Sequence, residues 1–295
     1  PASIDHIEVL EDGAAAQYGS DAVAGVINIL LKNKAGGSLS ATGGQNYTRG
    51  GRTYSGSLNY GWSSDRGHLN MNAFYRKNKD TRQGDQDLRA AGIDGNPASN
   101  LIGATGTLLS DLQGAINYPN VTPAYGRANS RFGVGSFNTG VNLTDDIEFY
   151  SFGTIGFRNA ESNAYYRPPN AIVATATKVY TGGVNNATYN NIVATNPSLI
   201  FARNGFVPLL AFRERDSAIT GGVRGALGGW RWDLATTYGK DDIDAYTLNS
   251  ANADLFVETG SRQRDFSDGS FAASEWTSNV DISRDFGGMA TLSFG

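Results

Sequence analysis

Hydrophobic and polar side chains alternate along segment after segment of this chain of 295 residues. Between residues 53 and 62, Tyr54, Leu58, Tyr60 and Trp62 occupy one set of alternate positions, and serine, threonine and asparagine occupy the other. Successive side chains of a strand point to opposite faces, so this pattern predicts strands with one apolar and one polar face. The repetition constrains the fold to a sheet whose two faces differ chemically.

The predicted strands are joined by short turns and long loops in alternation. We predict nine strands, over residues 38–48, 51–62, 67–79, 131–143, 147–161, 213–227, 230–247, 275–285 and 288–295. Tight turns are expected at SSDR, TDD, GG and FGG, whereas segments 81–130 and 162–212 are much longer than usual connections. Short turns at one rim and long loops at the other are typical of transmembrane β-barrels. The short connection near Arg49 does not fit this contrast.

The composition fits such a barrel without requiring it. Glycine is frequent, at 38 residues, and charged residues make up only 18% of the chain. A protein with a narrow lipid-facing band and a polar lumen has this balance, but a soluble glycine-rich β-protein has it almost as well. No run approaches the ~20 apolar residues of a spanning helix. A net charge of −4 gives no reason to expect nucleic acid as a partner.

Aromatic residues lie beside the predicted short turns. Tyr60 and Trp62 precede one turn, Phe149 follows another, and Trp230 and Trp232 follow a third. An aromatic girdle at a membrane interface would place them there, because indole rings favour the boundary between headgroups and hydrocarbon. The alternative is that they face the core of a soluble sandwich. The asymmetry of the turns favours the girdle.

The first part of the chain has a different character from the rest. A strand-like SIDHIEVL is followed by a glycine turn, a stretch of small residues and GVINILLK, which is expected to be a strand buried on both faces. The linker NKAGG follows. We therefore predict two domains, residues 1–35 and residues 36–295.

The segment IDHIEVLEDGAAAQYGSDAVAGVINILLK resembles the end of the plug domain of TonB-dependent outer-membrane receptors. In that family a strand of the type I-E-x-I-E-V-L leads through a glycine turn to Y-G-S-x-A-x-x-G-V-I-N-I. The matching residues here are Ile4 to Leu10, Gly13, Tyr18, Gly19, Ser20, Gly25 and Asn28. Glu11 departs from the pattern, since many members carry an arginine there that pairs within the plug. The ending DISRDFGGMATLSFG also resembles receptors of this kind.

The resemblance implies a mainly β fold: an incomplete transmembrane antiparallel β-barrel of about nine strands, preceded by the C-terminal part of an α+β plug domain. It implies a location in the bacterial outer membrane, in contact with its lipid, and both chain ends are expected to be cut. The implied function is TonB-dependent active uptake of a scarce nutrient, most commonly an iron–siderophore complex. The implied partner is the TonB–ExbB–ExbD complex, through a segment missing from this chain.

Two other functional classes stay open. A passive outer-membrane porin would share the barrel, although the plug-like segment argues against it. A secreted glycine-rich β-protein that binds glycans would share the composition. No enzyme activity, cofactor or metal site is predicted: His6 and His68 are the two histidines and lack metal-ligand spacing. The pairs Asp85/Asp87 and Asp265/Asp268 are expected to be solvated loop carboxylates rather than Ca²⁺ ligands.

The plug-like motif is predicted to be structural. Gly19 and Gly25 permit positive φ and close backbone approach. Asn28, among apolar neighbours, is expected to hydrogen-bond nearby backbone, because an unpaired buried amide costs roughly 1–3 kcal/mol. The same structural role is expected for Gly13, Tyr18 and Ser20.

The candidate ligand contacts lie in AYYRPPN, at the start of a long loop. Tyr165 and Tyr166 offer flat amphipathic rings, and Arg167 offers a planar donor fork. Two prolines stiffen the backbone that follows. This group suits an anionic or aromatic ligand. The alternative is a rigid loop base whose tyrosines mark the outer interface.

Overall fold

The computed structural model describes residues 2–10, 25–47, 50–92, 94–175, 178–179, 183–287 and 290–295. Its strands are β1 Ile4–Leu10, β2 Val26–Leu31, β3 Gly36–Gly44, β4 Thr53–Ser64, β5 Gly67–Asn78, β6 Asn129–Asn142, β7 Ile147–Asn163, β8 Ala174–Thr175, β9 Lys178–Val179, β10 Leu209–Leu227, β11 Trp230–Leu248, β12 Phe266–Asp285 and β13 Thr291–Phe294. Its helices are α1 Gly106–Gln113, α2 Asn186–Thr195 and α3 Ala253–Thr259, with 3₁₀ turns at Pro97–Ser99 and Pro197–Leu199. None of these described helices combines the length and apolar character needed to cross a bilayer.

Over the described residues, nine strands form one antiparallel sheet in the order β13-β12-β11-β10-β7-β6-β5-β4-β3. Each strand pairs with the next main strand along the chain, because β8 and β9 form a separate ribbon inside a loop. The predicted meander of nine strands is therefore confirmed. The sheet is open: β3 and β13 are its edges and do not pair with each other.

The two faces of the sheet differ as the alternation predicts. Val223, Leu234 and Val280 are direct cross-strand partners and share one face. Leu234 and Val280 are half-exposed there, at 47% and 52%. The large exposed side chains of this outer face also include Leu58, Tyr60, Trp62, Met71, Ile155, Ile219, Tyr238 and Trp276. No described element covers them, so this apolar face needs an apolar environment outside the chain.

The opposite, inner face is polar and internally hydrogen-bonded. The Asn59 amide donates to the Asn70 carbonyl oxygen at 2.7 Å, and both side chains are buried. The Tyr150 hydroxyl donates to Asp233 Oδ1 at 2.6 Å. Further along the same face, Arg224 forms an ion pair with Glu148 at 2.8 Å. Several polar groups of neighbouring strands therefore satisfy one another along the inner wall, whereas the Asn70 amide nitrogen and Asn72 Oδ1 are buried there without a described partner.

The N-terminal segment forms a β1–β2 antiparallel hairpin that lies against this inner face. The Asn138 amide donates to the backbone oxygen of Lys32 at 3.1 Å. A small cavity of about 150 Å³ separates Ser3 and Leu31 of the hairpin segment from Asn70 and other inner-face residues of the sheet. The hairpin and the large sheet are separate sheets, although the exact division at residues 35 and 36 stays a prediction.

Two expectations for the hairpin are wrong. Strand β2 is not buried on both faces, because Ile27 and Ile29 are 67% and 53% exposed. Only the side facing the large sheet is covered by described residues. Among the described residues, Asn28 bonds to a side chain rather than to backbone: its amide donates to Glu8 Oε2 at 3.0 Å. The reason is the pairing of the strands, which places Glu8 directly opposite Asn28.

Candidate ligand-binding site

The long loops at one rim of the sheet pack into a cluster with an apolar core of its own. The contributing loops run over residues 79–128, 164–208 and 249–265. Leu108 and Leu112 of α1 are one helical turn apart and fully buried against Tyr189 of α2. Further buried residues of this core are Ala104, Val121, Tyr166, Val173, Val184, Ile192 and Ile200. The loops therefore form a folded platform above the sheet.

Helix α2 caps the first turn of α1. Thr105 precedes α1 and makes no side-chain capping bond itself. Instead the Asn190 carbonyl oxygen accepts from the backbone N–H of Leu108 at 2.9 Å, and Asn186 accepts from the N–H of Thr105 at 2.7 Å. The two asparagines are four residues apart and so lie on one face of α2. They satisfy helix-terminal donors that otherwise lack partners.

A buried carboxylate ties three parts of the platform together. Arg203 donates to both oxygens of Asp111, at 2.8 and 2.7 Å. The Tyr189 hydroxyl donates to the same carboxylate at 2.7 Å. Burial is the largest cause that raises the pKa of Tyr189, and the hydrogen bond to Asp111 is the second. The hydrogen bond that Arg203 donates to Asp111 raises the pKa of Arg203, so Tyr189 and Arg203 both stay protonated at neutral pH.

A second cluster joins the loop of residues 164–208 to that of 249–265. The rings of Phe201, Phe206 and Phe256 pack together, with centroids 5.7 and 5.3 Å apart. Arg262 lies 5.9 Å from the ring centre of Phe201, and Arg264 lies 4.8 Å from that of Phe206. These cation–π contacts hold the two loops against each other. Burial lowers the pKa of Arg264.

The structure separates the three predicted ligand contacts. Tyr166 is buried at 2% exposure, and its hydroxyl donates to the backbone oxygen of Asn204 at 3.0 Å. Burial raises its pKa. Tyr165 is 67% exposed, and Arg167 is exposed while its backbone pairs with Phe206. Tyr166 thus anchors the loop, and Tyr165 and Arg167 remain accessible to a ligand.

The inner wall below the loops carries a cationic and aromatic group that the sequence analysis missed. The guanidinium of Arg158 lies 5.6 Å from the ring centre of Phe132, which contacts Phe74 with centroids 6.0 Å apart. Arg158 also approaches Glu214 at 3.4 Å, and Arg76 is exposed on the same face. The alternation carried the signal, since these residues share the inner face with the polar residues of β5 to β7. An anionic or aromatic molecule entering from the loop rim meets this group.

The plug-like motif is described only in part. Gly13, Tyr18, Gly19 and Ser20 lie outside the described residues. Gly25 has φ of +125°, a conformation that side chains other than glycine rarely adopt. Among the described residues there is no group of three or more histidine and acidic side chains arranged to hold a metal ion.

Comparison with known proteins yields matches of structure but not of sequence. No protein-family model matches the chain, and no curated protein matches it. A mutant of the ferric enterobactin receptor PfeA from Pseudomonas aeruginosa matches with a TM-score of 0.52 and 17% identity, over 99% of this chain and 35% of that chain. BauA, the ferric preacinetobactin receptor from Acinetobacter baumannii, matches with a TM-score of 0.45 and 11% identity, over 96% of this chain and 44% of that chain.

The likeness to PfeA defines the fold class. The chain shares its fold with part of that protein, and it covers 35% of the length of that chain. The open sheet, the short turns at one rim and the hairpin on the inner face agree with that class. The fold implied by the resemblance to TonB-dependent receptors is therefore confirmed.

Proposed function

We propose that this chain is part of a TonB-dependent receptor that takes up an iron–siderophore complex across the bacterial outer membrane. The observation that carries the proposal is the β1–β2 hairpin on the polar inner face of an amphipathic sheet. A passive porin keeps a water-filled lumen, whereas a plugged barrel needs an element in this place. The hairpin also contains the residues that match the family pattern.

The outer face supports a membrane location. Along β11 its side chains are apolar or small from Trp230 to Tyr238, and Lys240 follows. A tilted strand crosses the hydrocarbon in ~9–11 residues, which matches this stretch. A soluble protein would leave this broad apolar surface in water.

The substrate class follows from the inner wall and the platform. Arg158 and Arg76 offer guanidinium groups beside Phe132, and Tyr165 and Arg167 offer the same combination on the loops. Guanidinium forks pair with carboxylates and other planar anions, and aromatic rings stack on flat ligands. An anionic metal chelate with aromatic or carboxylate groups fits both surfaces.

The proposed mechanism has two steps. The chelate binds to the loops and the outer part of the inner wall. The TonB–ExbB–ExbD complex, acting through another segment of the receptor, then pulls on the plug and opens a path along the inner face. The few direct bonds between hairpin and sheet, such as that from Asn138 to Lys32, would break at small cost.

Uptake of radioactive iron tests the proposal. Cells lacking the gene would be complemented with the full-length receptor or with its Arg158→Gln variant, and offered ⁵⁵Fe bound to catecholate or hydroxamate siderophores. We expect energy-dependent uptake of one class, and an increase of the half-saturating concentration by roughly tenfold for Arg158→Gln, the equivalent of one charged hydrogen bond. Arg66→Gln, in a short turn at the opposite rim, is the matched control and should leave uptake unchanged.

Uptake that persists in a tonB deletion strain or after collapse of the proton gradient would identify a passive channel instead. Energy-dependent growth on a saccharide or on cobalamin, without iron uptake, would keep the mechanism but overturn the substrate.

A further inference from the structure

The outer face of the sheet changes character toward the loop rim. Toward the short turns, the side chains of this face are apolar. Closer to the loop rim, the same face carries Arg131 of β6, Arg215 of β10 and Lys240 of β11. Lys77 lies directly opposite Arg131, and Arg213 is two residues from Arg215. Five basic residues thus lie just beyond the apolar band, at the level where lipid headgroups meet a membrane protein.

These residues surround an open groove of about 980 Å³. Arg131, Arg213, Arg215 and Lys240 line it. Its floor is shaped by Gly133, where an added Cβ would come within 2.5 Å of the Phe157 ring. The missing side chain on β6 lets the Phe157 ring pack over this strand and form the floor of the groove between the basic residues.

A second groove of about 580 Å³ continues the first toward the short turns. The two share Gly135, Ile155 and Ser217 on their lining. The second groove is lined by apolar side chains such as Leu58, Met71 and Ile219. Together they form one groove with a basic upper end and an apolar lower end.

Much of the positive charge at the upper end is unpaired. Among the described residues, Lys77, Arg131, Arg213 and Arg215 form no ion pair, and Lys240 pairs with Asp242 at 2.6 Å. Three carboxylates lie on the same face: Glu161, Asp242 and Asp244. The upper end of this face therefore carries five basic groups and three acidic ones, and the groove there attracts anions.

We propose that this groove binds a membrane lipid of net negative charge through its headgroup phosphate, with an acyl chain in the apolar lower end. Arginine forks bind phosphate oxygens in pairs, which suits Arg131 and Arg215 on either side of the groove. The apolar continuation selects a lipid over free phosphate. The site lies on the face opposite the hairpin, so it goes beyond the transport function and anchors the receptor in the outer leaflet.

Native mass spectrometry of the purified full-length receptor tests this site. The detergent-solubilised protein would be titrated with lipid A, a bisphosphorylated acylated glycolipid, with phosphatidylcholine and with inorganic phosphate. The Arg131→Gln/Arg215→Gln variant lacks two basic groups and should bind lipid A with roughly thirtyfold lower affinity. Arg131→Lys/Arg215→Lys should recover most of the affinity. Arg224→Gln/Arg231→Gln removes the same charge from the inner face and should bind as the wild type does.

Equal lipid A affinity in the outer-face and inner-face variants would overturn the proposal, as would equal binding of phosphatidylcholine. Displacement of lipid A by millimolar inorganic phosphate would show an anion site that does not recognise the lipid. Iron uptake is measured separately. A negative result for lipid binding therefore leaves the transport proposal unaffected, and a negative result for iron uptake leaves the lipid-binding proposal unaffected.

Discussion

Leu234 and Ala235 are neighbours in β11 that point to opposite faces of the sheet. Leu234 lies between Val223 and Val280 on the outer face, near the middle of the apolar stretch. Ala235 faces the inner wall, with Gly222 and Asn279 as its cross-strand partners. The environment of a side chain therefore changes completely within one residue.

An arginine at each position should have very different effects. Leu234→Arg places a cation on the lipid side near the bilayer midplane, at a cost of about 2–4 kcal/mol. Ala235→Arg is the matched control, because its side chain reaches the polar lumen. Folding titrations into lipid vesicles should show the loss of stability for the first variant, and a much smaller effect for the second. Equal losses would contradict the assigned faces.

His6 makes the hairpin sensitive to pH. Its ring bonds to Asp5 at 2.8 Å and approaches Glu8 at 3.4 Å. The hydrogen bond to Asp5, with a smaller contribution from Glu8, raises the pKa of His6 above its ordinary value. The interaction thus stabilises the hairpin fully below the unfolded pKa of His6 and is lost as the pH rises through the folded pKa.

An NMR titration of the His6 ring should therefore have its midpoint above the ordinary value of about 6.5. Asp5→Asn should move that midpoint down, whereas Asp65→Asn, in a distant turn, should leave it in place. If the midpoint lies at or below the ordinary value and does not change in Asp5→Asn, the ion pair between His6 and Asp5 does not form.

At the scale of elements, the loop platform depends on Asp111. Its loss leaves the Arg203 guanidinium and the buried Tyr189 hydroxyl without their shared acceptor. Because the Arg203 side chain is 48% exposed, water compensates part of the loss. We expect Asp111→Ala to destabilise the platform by about 1–3 kcal/mol.

Limited proteolysis measures that local opening. Cleavage within residues 79–128 and 164–208 should accelerate in Asp111→Ala, while the strands stay protected. Glu258→Ala removes an exposed carboxylate from α3 and serves as the control. Unchanged cleavage in Asp111→Ala would show that the apolar core alone holds the loops.

Elements also show how far the sequence could predict the fold. Side-chain alternation identified the strands wherever one face is apolar, as in β4 and β11. It missed the first part of β12, where SDGSFAAS has no such pattern and every residue is exposed. Backbone pairing with residues 240–247 of β11 extends that strand, and pairing leaves no trace in the sequence.

The loop helices were unpredictable for a related reason. Helix α1 is only two turns long, and isolated helices of this length are unstable in water. Its stability comes from Leu108 and Leu112 packing on α2, and from a cap that Asn190 supplies from 82 residues away in sequence. The burial of Tyr166 beside the exposed Tyr165 depends on the same long-range packing. The inner-wall group of Arg158 and Phe132, which the sequence analysis missed, could have been found from alternation.

For the whole molecule, the central claim is that one face of the sheet contacts lipid and the other faces an aqueous lumen containing the hairpin. Both edges of the described sheet, β3 and β13, present unpaired backbone groups that are costly in hydrocarbon. The full-length form of the proposed receptor is therefore the one in which this claim is tested.

Nitroxide scanning of β11 is the most direct measurement. The chain contains no cysteine, so a single cysteine introduced at each of positions 231–238 is the one labelling site within residues 1–295. In lipid vesicles, accessibility to oxygen should peak at 232, 234, 236 and 238, and accessibility to a water-soluble nickel chelate should peak at the residues between them. A profile without this two-residue period, or one with the opposite phase, would contradict the lipid-facing outer surface and with it the proposed receptor.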